Sequence, residues 1–498
     1  MPEQENKTSS YRSIFKATSL FGGVQAYQIL IGVIRSKFVA ILLGPVGMGI
    51  QGLYQPTIQL IQGLTSLGLS QSAVRDVAEA NGTGNTHQIG LTIAVVKRLV
   101  WITGLWGLVA TAVLSPILSK TTFGNYDYVI PFILLSVILL FDQLSAGQRV
   151  VLQGMRKLKF LAKSTAIGST IGLIVSVPLY YLIGIKGIVP TLILNSLTML
   201  CLTCFFSRKV NIEKVEVTNK QTFQKGKSML KMGLAMSISG IIASVSAYVL
   251  RVVIQNESGI DEVGLFSAGF MIINYYFGTV LNAMSTDYYP RLAAVSKDNE
   301  RCKTVINQQG EIALLIISPL IILCIVYMPL IIRLLYSQKF ILASDYVIWA
   351  SLGILFKTLS WTVSYSILAK AEAKLFMANE LIANIYCLVL NIIGYKLLGL
   401  SGLGISFIVS YILYALQVYF IAQKKYDFNF SKQVLMIFIV QLSMIIVSFL
   451  VVKHIDSPIA YIPATIILIL SSFYSLKELN SRMSVLQQIK DRFYNGKK

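Results

Sequence analysis

Long apolar stretches separated by short polar segments recur from one end of the chain to the other. Each is about 20 residues long, the length that an α-helix needs to cross the hydrocarbon core of a membrane. Gly and Pro interrupt several of them, which membrane helices tolerate because neighbouring helices satisfy the freed backbone groups. The pattern predicts an all-α integral membrane protein with about 14 transmembrane helices. The predicted spans lie near residues 14–43, 46–74, 99–118, 128–148, 160–183, 187–206, 229–255, 263–287, 310–335, 341–368, 375–395, 401–422, 433–452 and 457–476.

The composition agrees with this class. Of the 498 residues, 55% are hydrophobic and only 13% are charged, whereas roughly 25% are charged in ordinary soluble domains. These values exclude a soluble enzyme, a disordered tail and a secreted disulfide scaffold. The formal charge is nevertheless +21. A nucleic-acid partner is excluded too, because the positive charge of such a protein lies on a polar surface rather than among hydrophobic runs.

The distribution of the cations predicts the orientation. Of the 43 Lys and Arg residues, 33 fall in one alternating set of loops and in the two tails, and six fall in the other set. Cytoplasmic loops carry the excess of Lys and Arg, so both termini are predicted to be cytoplasmic and the number of spans to be even. The remaining four cations lie within spans. The six on the outer side are Lys120, Lys186, Arg333, Lys339, Lys396 and Lys453.

An internal repeat divides the chain. Three local patterns recur at offsets of 217, 216 and 215 residues: Val46-Gly47 with Val263-Gly264, the approach to Phe160 with that to Phe376, and Gly184-x-x-Gly187 with Gly399-x-x-Gly402. A common offset predicts two parallel six-helix lobes followed by a two-helix extension. Parallel halves are a known transporter plan, with the binding site between the halves. The predicted divisions are 1–206 (N-terminal lobe), 207–228 (basic cytoplasmic loop), 229–425 (C-terminal lobe), 426–476 (two extra helices) and 477–498 (basic tail).

The four intramembrane cations are Arg35, Lys37, Arg251 and Lys357. A charge at this depth costs at least ~2.5–3.5 kcal/mol, so it usually faces a cavity or a partner. Arg35 and Arg251 occupy equivalent places in the repeat, and such a pair suits a phosphate or diphosphate, which Arg binds bidentately. The alternative is that both lie in the outer half of their helices and extend to the interface.

Four glutamines form a stripe on the second span: Gln51, Gln55, Gln59 and Gln62. Their spacing of 4, 4 and 3 residues places them on one helix face. They are candidates for hydrogen bonding the hydroxyl groups of a sugar in an aqueous cavity. Hydrogen bonding between packed helices, worth about 0.6 kcal/mol per bond, explains them equally well.

Two acidic residues, Asp142 and Glu380, also lie at membrane depth. They are candidates for binding a coupling proton or sodium ion. Pairing with Arg149 or Lys357 is the alternative, and for Glu380 so is stabilisation of a helix N-terminus.

Signatures of catalysis are weak. His87 and His454 are the only histidines, which argues against a His-based zinc site or catalytic base. Gly226-Lys227-Ser228 matches the end of a phosphate-binding loop, but Gln221 occupies the position that requires Gly. We therefore expect no enzyme activity, no cofactor and no metal site, with transport driven by an ion or substrate gradient.

Several segments resemble the Wzx-type polysaccharide flippases of the MOP (MATE-like) superfamily, in particular the O-antigen and lipid III flippases. The similarity runs from about residue 17 to 425. The matching segments are 36–40, 43–49, 261–264, 289–292, 338–340, 355–357, 368–371 and 379–380.

The resemblance implies two helical bundles that form a V around a cationic cavity in the bacterial inner membrane. Alternating access would transfer an undecaprenyl-diphosphate-linked oligosaccharide to the periplasmic leaflet, with basic residues of spans one and seven meeting the diphosphate. Lys37 and Lys357 occupy positions where related sequences also carry Lys, whereas Arg35 is an addition. The last two spans have no counterpart in twelve-helix relatives.

Other functions fit less well. A multidrug or ion antiporter of the same superfamily would favour a carboxylate-lined cavity for its cationic drugs, but cations predominate here. A membrane-embedded polysaccharide polymerase would need a sizeable outer loop, and the predicted outer loops are short. A sugar porter of the major facilitator type would carry an Asp-Arg-x-Gly-Arg motif after span two, where Val74-Arg75-Asp76 stands instead.

Overall fold

The computed structural model describes residues 23–455 and 459–483, and within these ranges the chain is helical with no β-strand. This confirms the predicted all-α class. The helices are α1 (Gly23–Leu42), α2 (Gly44–Ser66), α3 (Leu69–Gly82), α4 (Thr86–Phe123), α5 (Val129–Gly154), α6 (Leu158–Ile183), α7 (Ile188–Ser207), α8 (Asn219–Ser258), α9 (Ile260–Phe270), α10 (Phe277–Ala294), α11 (Asn299–Leu335), α12 (Ala343–Ala369), α13 (Ala373–Tyr426), α14 (Lys432–His454) and α15 (Tyr461–Met483). A π-helical segment, Met271–Tyr276, joins α9 to α10.

Eleven of the described helical segments are long and apolar enough to cross a membrane. Two of these, Leu158–Ser207 and Ala373–Tyr426, are 50 and 54 residues long and each contains a turn, so each supplies two of the predicted spans. α2 is not among the eleven, because it is rich in Gln and Gly. Each predicted span thus coincides with described helix over most of its length, and residues 14–22 and 457–458 of the predicted spans lie outside the described residues.

The second predicted span, 46–74, is wrong as a single helix. The chain breaks between α2 and α3 at Leu67 and Gly68, whose φ angles are 49° and 63°. Gly68 also lies so close to the backbone of Gly233 on α8 that a Cβ atom would overlap it. Glycine is needed here both for its positive φ and for this close approach.

The backbone itself carries the predicted repeat. Gly184 has φ 56° and ψ −134°, and Gly399, 215 residues later, has φ 58° and ψ −138°. Arg156 and Ala371 are separated by the same offset and share the left-handed conformation, with φ of 54° and 57°. In both loops the next amide donates to the carbonyl five residues before it, at 2.8 Å and 3.2 Å, as in a Schellman motif. Matched unusual conformations at one offset confirm the two repeats and their parallel order.

The chain forms two compact units. The first extends to Gly264 and includes Leu335–Ser337, and the second comprises Leu265–Leu334 and the chain from Gln338 onward. In the first unit α8 packs against α2, α3 and α4, although the repeat assigns α8 to the second lobe. The predicted lobes, 1–206 and 229–425, are defined by the internal sequence repeat and not by which helices pack together. The division into these two lobes stays a prediction.

The first unit combines apolar and polar helix contacts. Tyr54 of α2 is 2% exposed and its ring lies 5.3 Å from that of Phe123 and 5.4 Å from that of Phe132. This cluster buries the apolar face of α2. Between α5 and α7, Ser145 and Thr203 share a hydrogen bond of 3.2 Å. Such hydrogen bonds satisfy polar groups at a depth where the membrane contains no water.

In the second unit α12 packs against α13, which Gly399 divides into two legs. The legs come close enough that a Cβ atom on Gly402 would overlap the carbonyl of Gly394. Buried Tyr288 of α10 donates to the carbonyl of Thr362 at 2.6 Å, which ties α10 to α12.

The two C-terminal helices belong to this second unit. Buried Gln441 of α14 donates to Ser475 of α15 at 2.9 Å. Tyr327 of α11 and Thr465 of α15 share a hydrogen bond of 2.8 Å. The extension is therefore packed against the repeat structure.

Replacing Gly184 or Gly399 by Ala should lower the apparent melting temperature of the purified protein by similar amounts. Nothing lies within 4 Å of a Cβ atom built at either position, so the cost is backbone strain alone, of order 1–3 kcal/mol. Thermal unfolding in detergent measures it. Gly240→Ala is the control, because that helical position is also open and Ala favours helix. Wild-type stability of both turn variants would contradict the shared strained conformation.

Candidate functional site

Arg35 lies in the first unit among polar groups from other helices. Its Nη2 donates to the carbonyl of Ser169 on α6 at 3.3 Å, and its Nε is buried without a hydrogen-bond partner. The absence of a side chain at Gly172 makes room for the guanidinium, since a Cβ there would lie 2.6 Å from Nη2. The carbonyl of Ser169 thus holds the guanidinium at Nη2, while the Nε–H donor has no hydrogen-bond acceptor.

Gln51 and Asn195 lie beside this arginine. Gln51 donates to the hydroxyl of Tyr180 on α6 at 2.8 Å, and Tyr180 is close enough to Arg35 to interact with it electrostatically. A Cβ on Gly172 would also lie 2.9 Å from Oδ1 of Asn195 on α7, an oxygen that is buried without a partner. We call Arg35, Gln51, Tyr180 and Asn195 the first polar cluster.

The other glutamines of α2 differ from Gln51. Gln55 and Gln59 are exposed and Gln62 is half-buried, whereas the opposite face of α2 is buried. Within residues 23–455 and 459–483 none of these three makes a hydrogen bond. Hydrogen bonding between helices therefore accounts for Gln51 alone, and the other three side-chain amides are open to a ligand.

The remaining cations of the first unit have different surroundings. Arg251 of α8 is 7% exposed, and its Nη1 donates to the carbonyl of Ala247, one turn earlier, at 3.0 Å. A side chain this buried does not extend into solvent, contrary to the interfacial alternative. Lys37 is half-buried and lies two residues after Arg35, on a different face of α1. The backbone of α8 itself thus accepts a hydrogen bond from Arg251, whereas the backbone of α6 accepts one from Arg35.

Lys357 lies in the second unit, where an amide oxygen and two aromatic rings surround its ammonium group. Its Nζ donates to Oδ1 of Asn274 at 2.8 Å and lies 5.2 Å from the ring centroid of Tyr411 and 5.6 Å from that of Phe407. Asn274 belongs to the π-helical segment, an irregularity frequent at functional sites. Aromatic faces and an amide oxygen stabilise the ammonium without cancelling its charge.

Glu380 interacts with the tyrosines beside this lysine. Its carboxylate accepts from the hydroxyl of Tyr414 at 2.6 Å, and the ring of Tyr414 lies 6.4 Å from that of Tyr411. Glu380 is too far into α13 to stabilise its first turn, and no ion pair joins it to Lys357, although both residues are described. We call Lys357, Asn274, Tyr411, Tyr414 and Glu380 the second polar cluster.

Asp142 is held differently. Ser196 of α7 donates to its carboxylate at 2.5 Å, and Arg149, two turns along α5, interacts with it electrostatically. Asp142 therefore forms part of the polar contact between α5 and α7.

The sequence does not identify five neutral members of the clusters, namely Tyr180, Asn195, Asn274, Tyr411 and Tyr414. A signal exists for the two asparagines, since each interrupts an apolar span. The three tyrosines give no such signal because aromatic residues are common in membrane helices.

The sequence of the chain is similar to those of known proteins. The family of polysaccharide biosynthesis proteins matches residues 38–345, more than half of the chain. A proposed O-antigen transporter of Shigella flexneri is 25% identical over 410 residues, which cover 80% of this chain and 94% of that protein. The lipid III flippase of Escherichia coli (strain K12) is 21% identical over 371 residues, covering 74% and 88%.

Solved structures share the fold. The lipid II flippase MurJ in an inward closed conformation has a TM-score of 0.72, with 17% identity, 93% of this chain and 99% of that chain covered. An inward-facing MATE family multidrug resistance transporter of the MOP superfamily has a TM-score of 0.71, with 15% identity and coverage of 80% and 94%.

The family match over most of the helical core and the shared fold confirm the resemblance found in the sequence. The chain therefore belongs to the polysaccharide biosynthesis protein family and is a multi-pass membrane protein with the fold that these solved transporters of the MOP superfamily share.

Proposed function

We propose that the chain is a flippase for a lipid-linked oligosaccharide. In this proposal it moves an undecaprenyl-diphosphate-linked surface-glycan repeat unit from the inner to the periplasmic leaflet of the bacterial inner membrane by alternating access. The O-antigen transporter and lipid III flippase to which it is similar support this substrate class.

One observation carries the proposal. Arg35 and Lys357 lie in membrane-spanning helices, and within the described residues their partners are neutral: a carbonyl, an amide oxygen and aromatic rings. A cation with neutral partners keeps its charge for a ligand of opposite sign, and diphosphate is such a ligand. We assign Arg35, Lys37, Arg251 and Lys357 to the diphosphate.

The glycan is assigned to α2. Gln55, Gln59 and Gln62 offer both donors and acceptors, which suits sugar hydroxyl groups of varied geometry. Asp142 and Glu380 are assigned to a coupling proton or sodium ion. A drug antiporter shares the fold, but its cationic substrates would be repelled by Arg35 and Lys357.

Neutralising Arg35 and Lys357 together (R35Q with K357Q) should lower transport at least about 100-fold, because each removes a charge-assisted contact and every 1.4 kcal/mol is tenfold. Transfer of a polyprenyl-diphosphate oligosaccharide across reconstituted vesicles measures this. The matched control is K159Q with K163Q, which removes two exposed cations near the start of α6. Equal rates for the two double variants would exclude the diphosphate assignment.

Replacing the exposed glutamines (Q55L with Q59L) should slow the glycan-bearing substrate about 30-fold and leave polyprenyl diphosphate without glycan almost unaffected. Two hydrogen bonds of about 1 kcal/mol each are lost to the sugar. The same vesicles, loaded with either substrate, provide the comparison. Equal slowing of both substrates would place the glycan elsewhere.

Glu380→Gln should remove acceleration by a proton or sodium gradient but leave gradient-free equilibration of substrate intact, because the amide cannot bind the ion as a carboxylate does. Tyr414→Phe is the control, since it removes only the hydroxyl that donates to Glu380. A full gradient response in Glu380→Gln would assign coupling to another group.

A further inference from the structure

The first unit contains a second basic site, separate from the first polar cluster. A cavity of about 550 Å³ lies between α4, α5, α7 and residues 208–218, which connect α7 to α8 and are called the extended segment here. This volume is typical of small-molecule sites, which span roughly 300–1,000 Å³. Three cations line it: Lys97 of α4, Arg208 at the end of α7, and Lys214 of the extended segment.

The wall of this cavity is held in place. The extended segment lies against α4, where Thr86 donates to the carboxylate of Glu213 at 2.7 Å and Arg98 donates to the carbonyl of Val217 at 2.8 Å. On the opposite wall, Ser207 donates to Gln148 at 2.5 Å. The cavity is thus a built feature rather than a gap beside a loose loop.

The charge in this cavity is open to a ligand. Glu213 is the single acid in the lining, and its carboxylate already accepts from Thr86. In the part of the chain that the structure describes, the side chains of Lys97, Arg208 and Lys214 make no hydrogen bond and no ion pair. Lys97 and Arg208 line the same cavity, with Cys204 of α7 also in its lining. The lining therefore suits an anion.

The neighbouring surface is shaped for a lipid. Lys97, Trp101 and Leu105 follow one another at intervals of four residues, which places them on one face of α4. Trp101 is 51% exposed and Leu105 is 46% exposed. A cation, then an interfacial Trp, then an aliphatic side chain matches the order of headgroup, glycerol region and acyl chain at a membrane surface.

We propose that this cavity binds the phosphate of an anionic phospholipid, with Lys97 and Arg208 as its principal ligands and the acyl chain along Trp101 and Leu105. Basic pockets between transmembrane helices on the cytoplasmic side bind anionic lipid headgroups in this way. The bound lipid would join the segment after α7 to α4.

Thermal shift titrations of the purified full chain in non-ionic detergent test this. Phosphatidylglycerol should raise the melting temperature, while phosphatidylcholine and sodium phosphate at equal concentration should not. K97Q with R208Q should weaken the phosphatidylglycerol effect at least about tenfold. Both side chains are exposed, so the variant keeps its fold, which its melting temperature without lipid verifies. K159Q with K163Q is the charge-matched control and should respond as the wild type does.

Two results would overturn the proposal. Equal responses of the cavity variant and the control variant would show that the lipid acts elsewhere. An equal shift with sodium phosphate, lost in the cavity variant, would identify a soluble phosphate compound as the ligand and exclude the lipid. Neither result bears on transport, so this proposal and the proposed function fail separately.

Discussion

A positive charge within the hydrocarbon core must be solvated by the protein itself, at a cost of at least ~2.5–3.5 kcal/mol when it is not. In this chain Arg35 is solvated by the carbonyl of Ser169 and Lys357 by the amide oxygen of Asn274 and two aromatic rings. None of these partners is charged. The helices that supply these partners therefore hold a cation without neutralising it. The proposed recognition of a diphosphate depends on the cation keeping its charge.

The two halves of the chain share unusual turns. Gly184 and Gly399 share the same rare backbone conformation, and Arg156 and Ala371 share another. These turns set the direction in which the following helix returns, so the two halves have the same turns between their fourth and sixth spans. The two polar clusters are not repeat equivalents, since Arg35 corresponds to Arg251 in the repeat, whereas Lys357 lies on the tenth span. One is built around a guanidinium and glutamines, and the other around an ammonium, tyrosines and a carboxylate.

Much of the fold follows from the sequence, because membrane-spanning helices are about as long as the bilayer is thick and cations mark their ends. The break at Leu67 and Gly68 was missed because hydropathy does not report a change of helix direction. Gln51 shows why the site is harder to predict from the sequence than the fold is. Its partner, Tyr180, is 129 residues away, and no local pattern connects them. The cations were visible as charges in apolar spans, but the neutral groups that position them depend on packing between helices.

The central claim is that cations with neutral partners hold a diphosphate within the membrane. Native mass spectrometry of the purified chain with undecaprenyl diphosphate, undecaprenyl monophosphate and undecaprenol measures this directly, since the three ligands share one lipid chain and differ in the number of phosphate groups and therefore in headgroup charge. The account predicts binding that strengthens in the order alcohol, monophosphate, diphosphate, and that loses this order when Arg35 and Lys357 are neutralised. Equal binding of the alcohol and the diphosphate by the wild-type chain would contradict it.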